Sequence, residues 1–134
     1  MEFTCDQRIL FRHCDPAGIV FYPRYFEMIN DCVEAFFEQV VGLPFSEIHG
    51  NGGVPTAEIT TRFHAPSRLG EAIVIALRVT DLGRSSMKIR LRATCGAQLR
   101  FEARSVLVLV DAAGRPTPWP QAARQRLQEC TEGP

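Results

Sequence analysis

The residues best suited to do chemistry lie in one run, His13-Cys14-Asp15-Pro16-Ala17-Gly18-Ile19-Val20-Phe21-Tyr22-Pro23, which sets a carboxylate just ahead of a long apolar stretch. A helix start presents backbone N–H groups without intrahelical partners and carries partial positive charge, so it can polarise a carbonyl or hold an oxyanion. Asp15 beside such a start could attack an acyl carbon or activate water. Pro16 and Gly18 favour a tight turn, and at Gly18 a ligand can approach the backbone without meeting a Cβ. Pro23 has no N–H and suits the first helical position, so the free donor must come from Phe21, Tyr22 or Arg24; Tyr22 is the predicted one. Taken alone, Asp-Pro-Ala-Gly also reads as an ordinary turn before a helix.

Other residues invite competing readings. A Cys14 nucleophile needs a histidine within reach, but neighbours on a strand point to opposite faces, so His13 is poorly placed and His64 serves only if folding brings it near. A metal held by His13 and Asp15 lacks further ligands at recognisable spacing, with His49 in a Gly-rich loop, so no metal is expected. His13 could border the site, where an imidazolium would lower the carboxylate's pKa. Asn30 stands eight residues after Tyr22, so the two can share a helix face. Its amide could bind a polar end of an acyl group or simply bond to backbone. Phe21, Tyr25 and Phe26 could line a pocket, although aromatic residues at helical spacing are commonly core.

A second segment, Asp81 to Met87, offers a guanidinium at Arg84, hydroxyls at Ser85 and Ser86 and a flexible Gly83. Arg84 can grip a phosphate with two parallel hydrogen bonds, and the serines can donate to further oxygens. The bare motif equally describes a solvated hairpin turn. Lys88, Arg90 and Arg92 share one strand face, and Arg100 and Arg104 share another. These faces could attract phosphates or simply face water.

The elements that must position these groups follow from periodicity. Thr4 to Arg12 alternates loosely and predicts a strand leading into the aspartate turn. From Tyr22 onward, Tyr25, Phe26, Ile29, Cys32, Val33, Phe36, Phe37, Val40 and Val41 recur at three and four, and Gly42 with Pro44 supplies a stop. So wide a stripe predicts a helix buried on most sides. Period-two alternation predicts strands over Ala57 to Phe63, Ile73 to Val79, Met87 to Cys95 and Phe101 to Val110, the last apolar on both faces from Val106 as in a central strand. A short surface helix is expected from Pro120 to Cys130. One long helix followed by strands with short turns predicts an α+β protein with an antiparallel sheet of about five strands, wrapped around the helix or open beside it.

The chain has 134 residues, 46% hydrophobic, and formal net charge zero. That size suits a single domain over 1–134, with a core over about 5–111 and a tail over 112–134. Neutrality argues against nucleic acid as the main partner, and no apolar run approaches the ~20 residues of a membrane span. The cysteines at 5, 14, 32, 95 and 130 form no C-x-x-C pair and are odd in number, so reduced thiols in the cytoplasm are expected.

Over Asp15-Pro-Ala-Gly-Ile-Val-Phe-Tyr-Pro-Arg-Tyr-Phe26 the chain resembles the hotdog-fold acyl-coenzyme A thioesterases, in particular the 4-hydroxybenzoyl-CoA thioesterase type. The similarity in element order extends over about residues 5 to 111. The resemblance implies that Asp15 is the catalytic carboxylate and that the N–H of Tyr22 polarises the thioester carbonyl. It implies further that Gly83, Arg84, Ser85 and Ser86 contact coenzyme A, which is part of the substrate rather than a cofactor. Family members pair sheet edges across a two-fold axis, implying a homodimer or homotetramer with the site between subunits. An acyl carrier protein is a possible alternative carrier of the substrate. An acyl-CoA hydratase of the same fold uses an aspartate followed five residues later by histidine, where Val20 stands here. A non-catalytic acyl-CoA or acyl-carrier-protein binding module is a further alternative, although a binding site for an anionic ligand gains nothing from an extra carboxylate.

Overall fold

Alternating apolar residues and one helical stripe produce the whole architecture. The structure is a computed structural model and describes residues 1–48 and 52–131; His49 lies outside the described residues. In chain order the elements are β1 (Phe3–Arg8), α1 (Pro23–Phe36), α2 (Phe45–Ile48), β2 (Gly52–Gly53), β3 (Thr56–Phe63), β4 (Ala72–Leu82), β5 (Ser86–Cys95), β6 (Gln98–Val108), β7 (Val110–Asp111) and α3 (Gln121–Cys130). Five strands form one sheet in the order β1-β4-β5-β6-β3, every neighbouring pair antiparallel. The short strands β2 and β7 pair separately.

The inward face of the sheet carries Ile73, Ile75, Leu77 and Val79 from β4, Met87, Ile89, Leu91 and Ala93 from β5, and Phe101, Ala103 and Leu107 from β6, all buried. They share one core with Tyr25, Met28, Ile29, Cys32, Val33 and Phe36 of α1. The helix passes into a π turn over Phe37–Val41 and ends at Gly42, whose φ of +75° suits a residue without a Cβ. This is the hotdog arrangement, a sheet wrapped on a single long helix.

Four expectations are corrected. The first strand ends at Arg8 rather than Arg12, because a 3-10 turn over Phe11–His13 forms where the Leu10 N–H donates to His13 Nδ1 (2.8 Å). The long helix is amphipathic, not buried on most sides: Glu27, Asp31, Glu34 and Glu38 form an exposed acidic strip, while Phe26 and Val40 are only partly covered. The last long strand stops at Val108 rather than Val110, although it is a central strand as expected, lying between β5 and the edge strand β3. The C-terminal helix is not merely superficial. It buries Ala123, Leu127 and Cys130, and Trp119 ahead of it packs on Phe37 with ring centroids 6.1 Å apart.

Candidate active site

The segment from Ile9 to Tyr22 folds back on itself before entering α1. The Asp15 N–H donates to Ile19 O (2.9 Å) and the Gly18 N–H to Asp15 O (3.0 Å), closing a tight turn in which Gly18 takes φ +80°. Asp15 supports this turn itself, since its Oδ1 accepts the Ala17 N–H at 2.9 Å. Its other carboxylate oxygen has no protein partner among the described residues. Asp15 is half-buried and lines a surface depression of about 430 Å³ with Phe11, Cys14, Pro16, Gly18 and Leu69.

At the helix start, two of the three candidate donors are occupied. The Phe21 N–H donates to His13 O (2.9 Å) and the Arg24 N–H to Phe21 O (2.8 Å). Pro23 has none, and among the described residues the Tyr22 N–H makes no bond. Tyr22 is the residue flanking the first helical turn, and its ring, 58% exposed, meets Phe63 edge-on at 5.9 Å. An unpaired amide at a helix start is where a developing oxyanion is best accommodated.

His13 is buried, and burial lowers its pKa, with the Arg12 guanidinium acting in the same direction. Its Nδ1 accepts the Leu10 N–H, which like burial favours the neutral ring over an imidazolium that would lower the carboxylate's pKa. The Cys14 thiol donates to Leu10 O (3.6 Å), while His64 Nε2 lies 3.0 Å from a Glu102 carboxylate oxygen, so neither histidine forms a nucleophile pair with Cys14.

Asn30 is exposed and lines a cavity of about 310 Å³ between α1 and the edge of the sheet, with Phe26, Ile29, Thr56, Ile59 and Leu107 among its walls. Along α1, Asn30 stands about 12 Å from Tyr22. Among the described residues no ionisable side chain lines this cavity, and Phe63 bridges its helix end to Tyr22 through ring contacts with Phe26 (6.5 Å) and Tyr25 (5.8 Å).

The turn carrying Gly83, Arg84, Ser85 and Ser86 lies elsewhere in the protomer. It joins β4 to β5, whereas the aspartate turn packs beside the start of β4, and the length of β4 separates them by about 33 Å. Its carbonyls are engaged by the C-terminal segment: Leu109 N–H to Ser85 O (2.7 Å), Trp119 N–H to Arg84 O (3.2 Å) and Trp119 Nε1 to Ser86 O (3.1 Å). A single chain therefore brings Asp15 and Tyr22 to one end and the Arg84 turn to the other.

The two expected cationic faces form one outer surface, which Arg100 leaves. Arg90 and Arg104 pair across β5 and β6 on the outer surface, but Arg100 is only 6% exposed. Ala93 pairs with Phe101 and Thr94 with Leu99, so Arg100 is the extra residue of a β-bulge. The bulge turns its side chain inward, away from the Arg104 face. Sequence reading put Arg100 on a strand face with Arg104 and missed both its inward orientation and the segment Pro66–Glu71 that it holds. Arg100 falls in step with Glu102 and Arg104 in the sequence, so the alternation carries no sign of the bulge.

A sheet of five antiparallel strands wrapped on one helix defines the hotdog fold, and the segment that carries Asp15 leads into the unpaired helix-start amide of Tyr22. The chain belongs to the thioesterase-like superfamily, which matches over residues 9–127. Among solved structures it is similar to 4-hydroxybenzoyl-CoA thioesterase from Pseudomonas sp. strain CBS-3 (26% identity, 92% of this chain and 97% of that one, TM-score 0.82). It shares its fold with a 1,4-dihydroxy-2-naphthoyl-CoA thioesterase from Synechocystis (19%, 96% and 97%, 0.87). It also shares it with a Staphylococcus aureus protein solved in complex with CoA (16%, 100% and 88%, 0.89). No curated protein matches the chain significantly. No helix among the described residues is long and apolar enough to cross a membrane.

Proposed function

We propose that this protein hydrolyses an acyl-CoA thioester to the free acid and coenzyme A, with Asp15 as the reacting carboxylate and the Tyr22 N–H gripping the carbonyl oxygen. The observation that carries the reading is the unpaired Tyr22 amide at the end of the same folded segment that presents Asp15. As the thioester carbon is attacked, negative charge gathers on its oxygen and the amide stabilises it. Asp15 either attacks the carbon itself, forming a mixed anhydride that water opens, or takes a proton from the attacking water. In both routes the thiolate of coenzyme A departs and is protonated, and the acid is released. At Gly18 no heavy atom would lie within 4 Å of an added Cβ, which leaves room for substrate beside the turn.

The acyl group would extend into the cavity beside Asn30, whose amide would bond a polar end. The neutral walls favour an uncharged aromatic or aliphatic body over one bearing a second carboxylate. Gly83, Arg84, Ser85 and Ser86 would hold the nucleotide end of coenzyme A, and they would do so from the partner subunit. β3 is an unpaired sheet edge, and a second copy pairing with it across a two-fold axis would lie antiparallel. Phe63, beside Tyr22, would then approach the partner's other β3 end, the end where Pro55 O accepts the Val108 N–H and Val108 pairs with Ser86. Two-fold pairing thus supplies what one chain separates. The functional unit would be a homodimer, or a homotetramer of two such dimers, and an acyl carrier protein could deliver the same thioester. Free thiols at Cys5, Cys14, Cys32, Cys95 and Cys130 fit a reducing cytoplasmic setting.

The test is a panel of aromatic and aliphatic acyl-CoA esters with thiol detection, run on the wild type and on Asp15→Asn. Thiol release by the wild type and its loss in the variant is the expected result; undiminished release by pure Asp15→Asn overturns the assignment.

A further inference from the structure

The segment between β3 and β4 supports the stretch that carries Asp15 toward the helix start. The Val20 N–H donates to Ser67 O (2.9 Å), the Leu69 N–H to Gly18 O (3.2 Å), and Ile19 bridges Arg68. One residue further on, the Ile9 N–H donates to Glu71 O (2.8 Å) and the Gly70 N–H to Ile9 O (2.9 Å). The strand-like stretch joining Asp15 to Tyr22 therefore has the Pro66–Glu71 segment as its neighbour on one side. A shift of that neighbour displaces the carboxylate and the free amide together.

The segment is itself fastened by one side chain. Arg100 Nη1 donates to Pro66 O (3.0 Å) and to Glu71 Oε1 (2.8 Å), and Nη2 donates to Glu71 Oε2 (3.0 Å). Glu71 Oε1 also accepts the Arg68 N–H, closing the segment into a loop (2.6 Å). The backbone of Arg100 contributes as well, its carbonyl accepting from His64 (2.8 Å) and Ala65 (3.3 Å). A regular β6 would direct this side chain with Arg104 to the outer surface; the bulge at Arg100 aims it at the segment instead. A bidentate guanidinium–carboxylate pair fixes direction as well as distance, which a single ammonium does not. Asp6, Arg8 and Arg12 lie at the surface and make no bond to the pair, and the one carboxylate that Arg100 pairs with among the described residues is Glu71.

We infer that Arg100 and Glu71 are positioning residues for hydrolysis: their bidentate pair clamps Pro66–Glu71, which in turn sets the separation of the Asp15 carboxylate from the Tyr22 amide. The inference rests on the reading of Asp15 and Tyr22 given above. Neither clamp residue lines the depression at Asp15 or the cavity beside Asn30, so its loss should lower turnover and leave binding largely intact. A displacement of about 1 Å at reacting groups costs on the order of 10²-fold in rate.

Two variants test this. Arg100→Lys keeps the charge and loses the fork, and the pair replacement Arg100→Met with Glu71→Met removes both ions without leaving one buried alone. Expected is a fall in kcat of about 10-fold for Arg100→Lys and about 10²-fold for the double variant, with KM within about threefold of wild type. Amide hydrogen exchange should quicken at Val20 and Leu69 while Leu77, Leu91 and Ala103 in the sheet stay protected. Wild-type kcat in a folded double variant, or equal loss of protection throughout the sheet in Arg100→Lys, overturns the inference. Asp15→Asn run alongside separates the two failures. If it is inactive while the clamp variants turn over normally, the positioning role alone falls; if it is active, the reading of the site falls.

Discussion

Acid should weaken this fold through one identifiable carboxylate. Glu71 is held from its ordinary value of 4.5 down to about 2, first by the hydrogen bonds from Arg100, then by the Arg68 N–H. The unfolded chain takes up this proton near its ordinary value, whereas the folded chain refuses it until about 2. The stabilisation is therefore complete above pH 4.5, declines as pH falls from 4.5 toward 2, and loses nothing more below. Converted directly, the difference is about 3 kcal/mol. Glu71 keeps 31% of its side chain in water, and solvent screening reduces the contribution to about 1–2 kcal/mol. Urea unfolding followed by far-UV circular dichroism measures it, on wild type and Glu71→Gln at about pH 6 and about pH 2.5. The advantage of wild type over variant should shrink by about 1–2 kcal/mol between those conditions. An advantage that stays constant with pH refutes the reasoning, because it would mean that the pair does not hold the carboxyl in its charged form.

Other perturbations read other parts of the molecule. Asp15→Asn keeps an oxygen for the Ala17 N–H, so the turn should persist while turnover falls on the order of 10²-fold or more; unchanged kcat with unchanged melting temperature would contradict it. Leu127→Ala should destabilise by about 2–5 kcal/mol in chemical denaturation, because the side chain is fully buried in the core on the inner face of α3. Gly18→Ala meets no clash but places a Cβ at φ +80°, so a loss of about 1 kcal/mol is expected, measurable as a lowered melting temperature. Sedimentation at micromolar concentration should show a dimer or tetramer, and a monomer that turns over acyl-CoA would remove the two-chain site.

Much of this was legible in residue order. The alternation of Ile73, Ile75, Leu77 and Val79, and of Met87, Ile89, Leu91 and Ala93, specifies strands whose apolar face must be covered. The stripe from Tyr25 to Phe36 specifies the helix that covers it. Periodicity overstated that helix's burial, since a stripe reports which residues are apolar and not how far the sheet reaches around them. Asp15, Gly18 and Pro23 were visible as punctuation, and the turn they predict forms.

What folding alone decided concerns groups distant in sequence. Arg100 looked like the partner of Arg104 on a strand face, but a bulge of one residue reverses the side on which a strand presents its side chain, and no local pattern marks it. Glu71 and Pro66 come to Arg100 only through the pairing of β3 with β6 and the return into β4. Likewise the Arg84 turn and Asp15 lie at opposite ends of one protomer, a separation set by the length of β4. Short-range sequence determines local geometry because sterics and hydrogen bonding act between near neighbours; the positions of Arg100 and of the Arg84 turn depend on strand register and on closure of the sheet, which only the assembled core specifies.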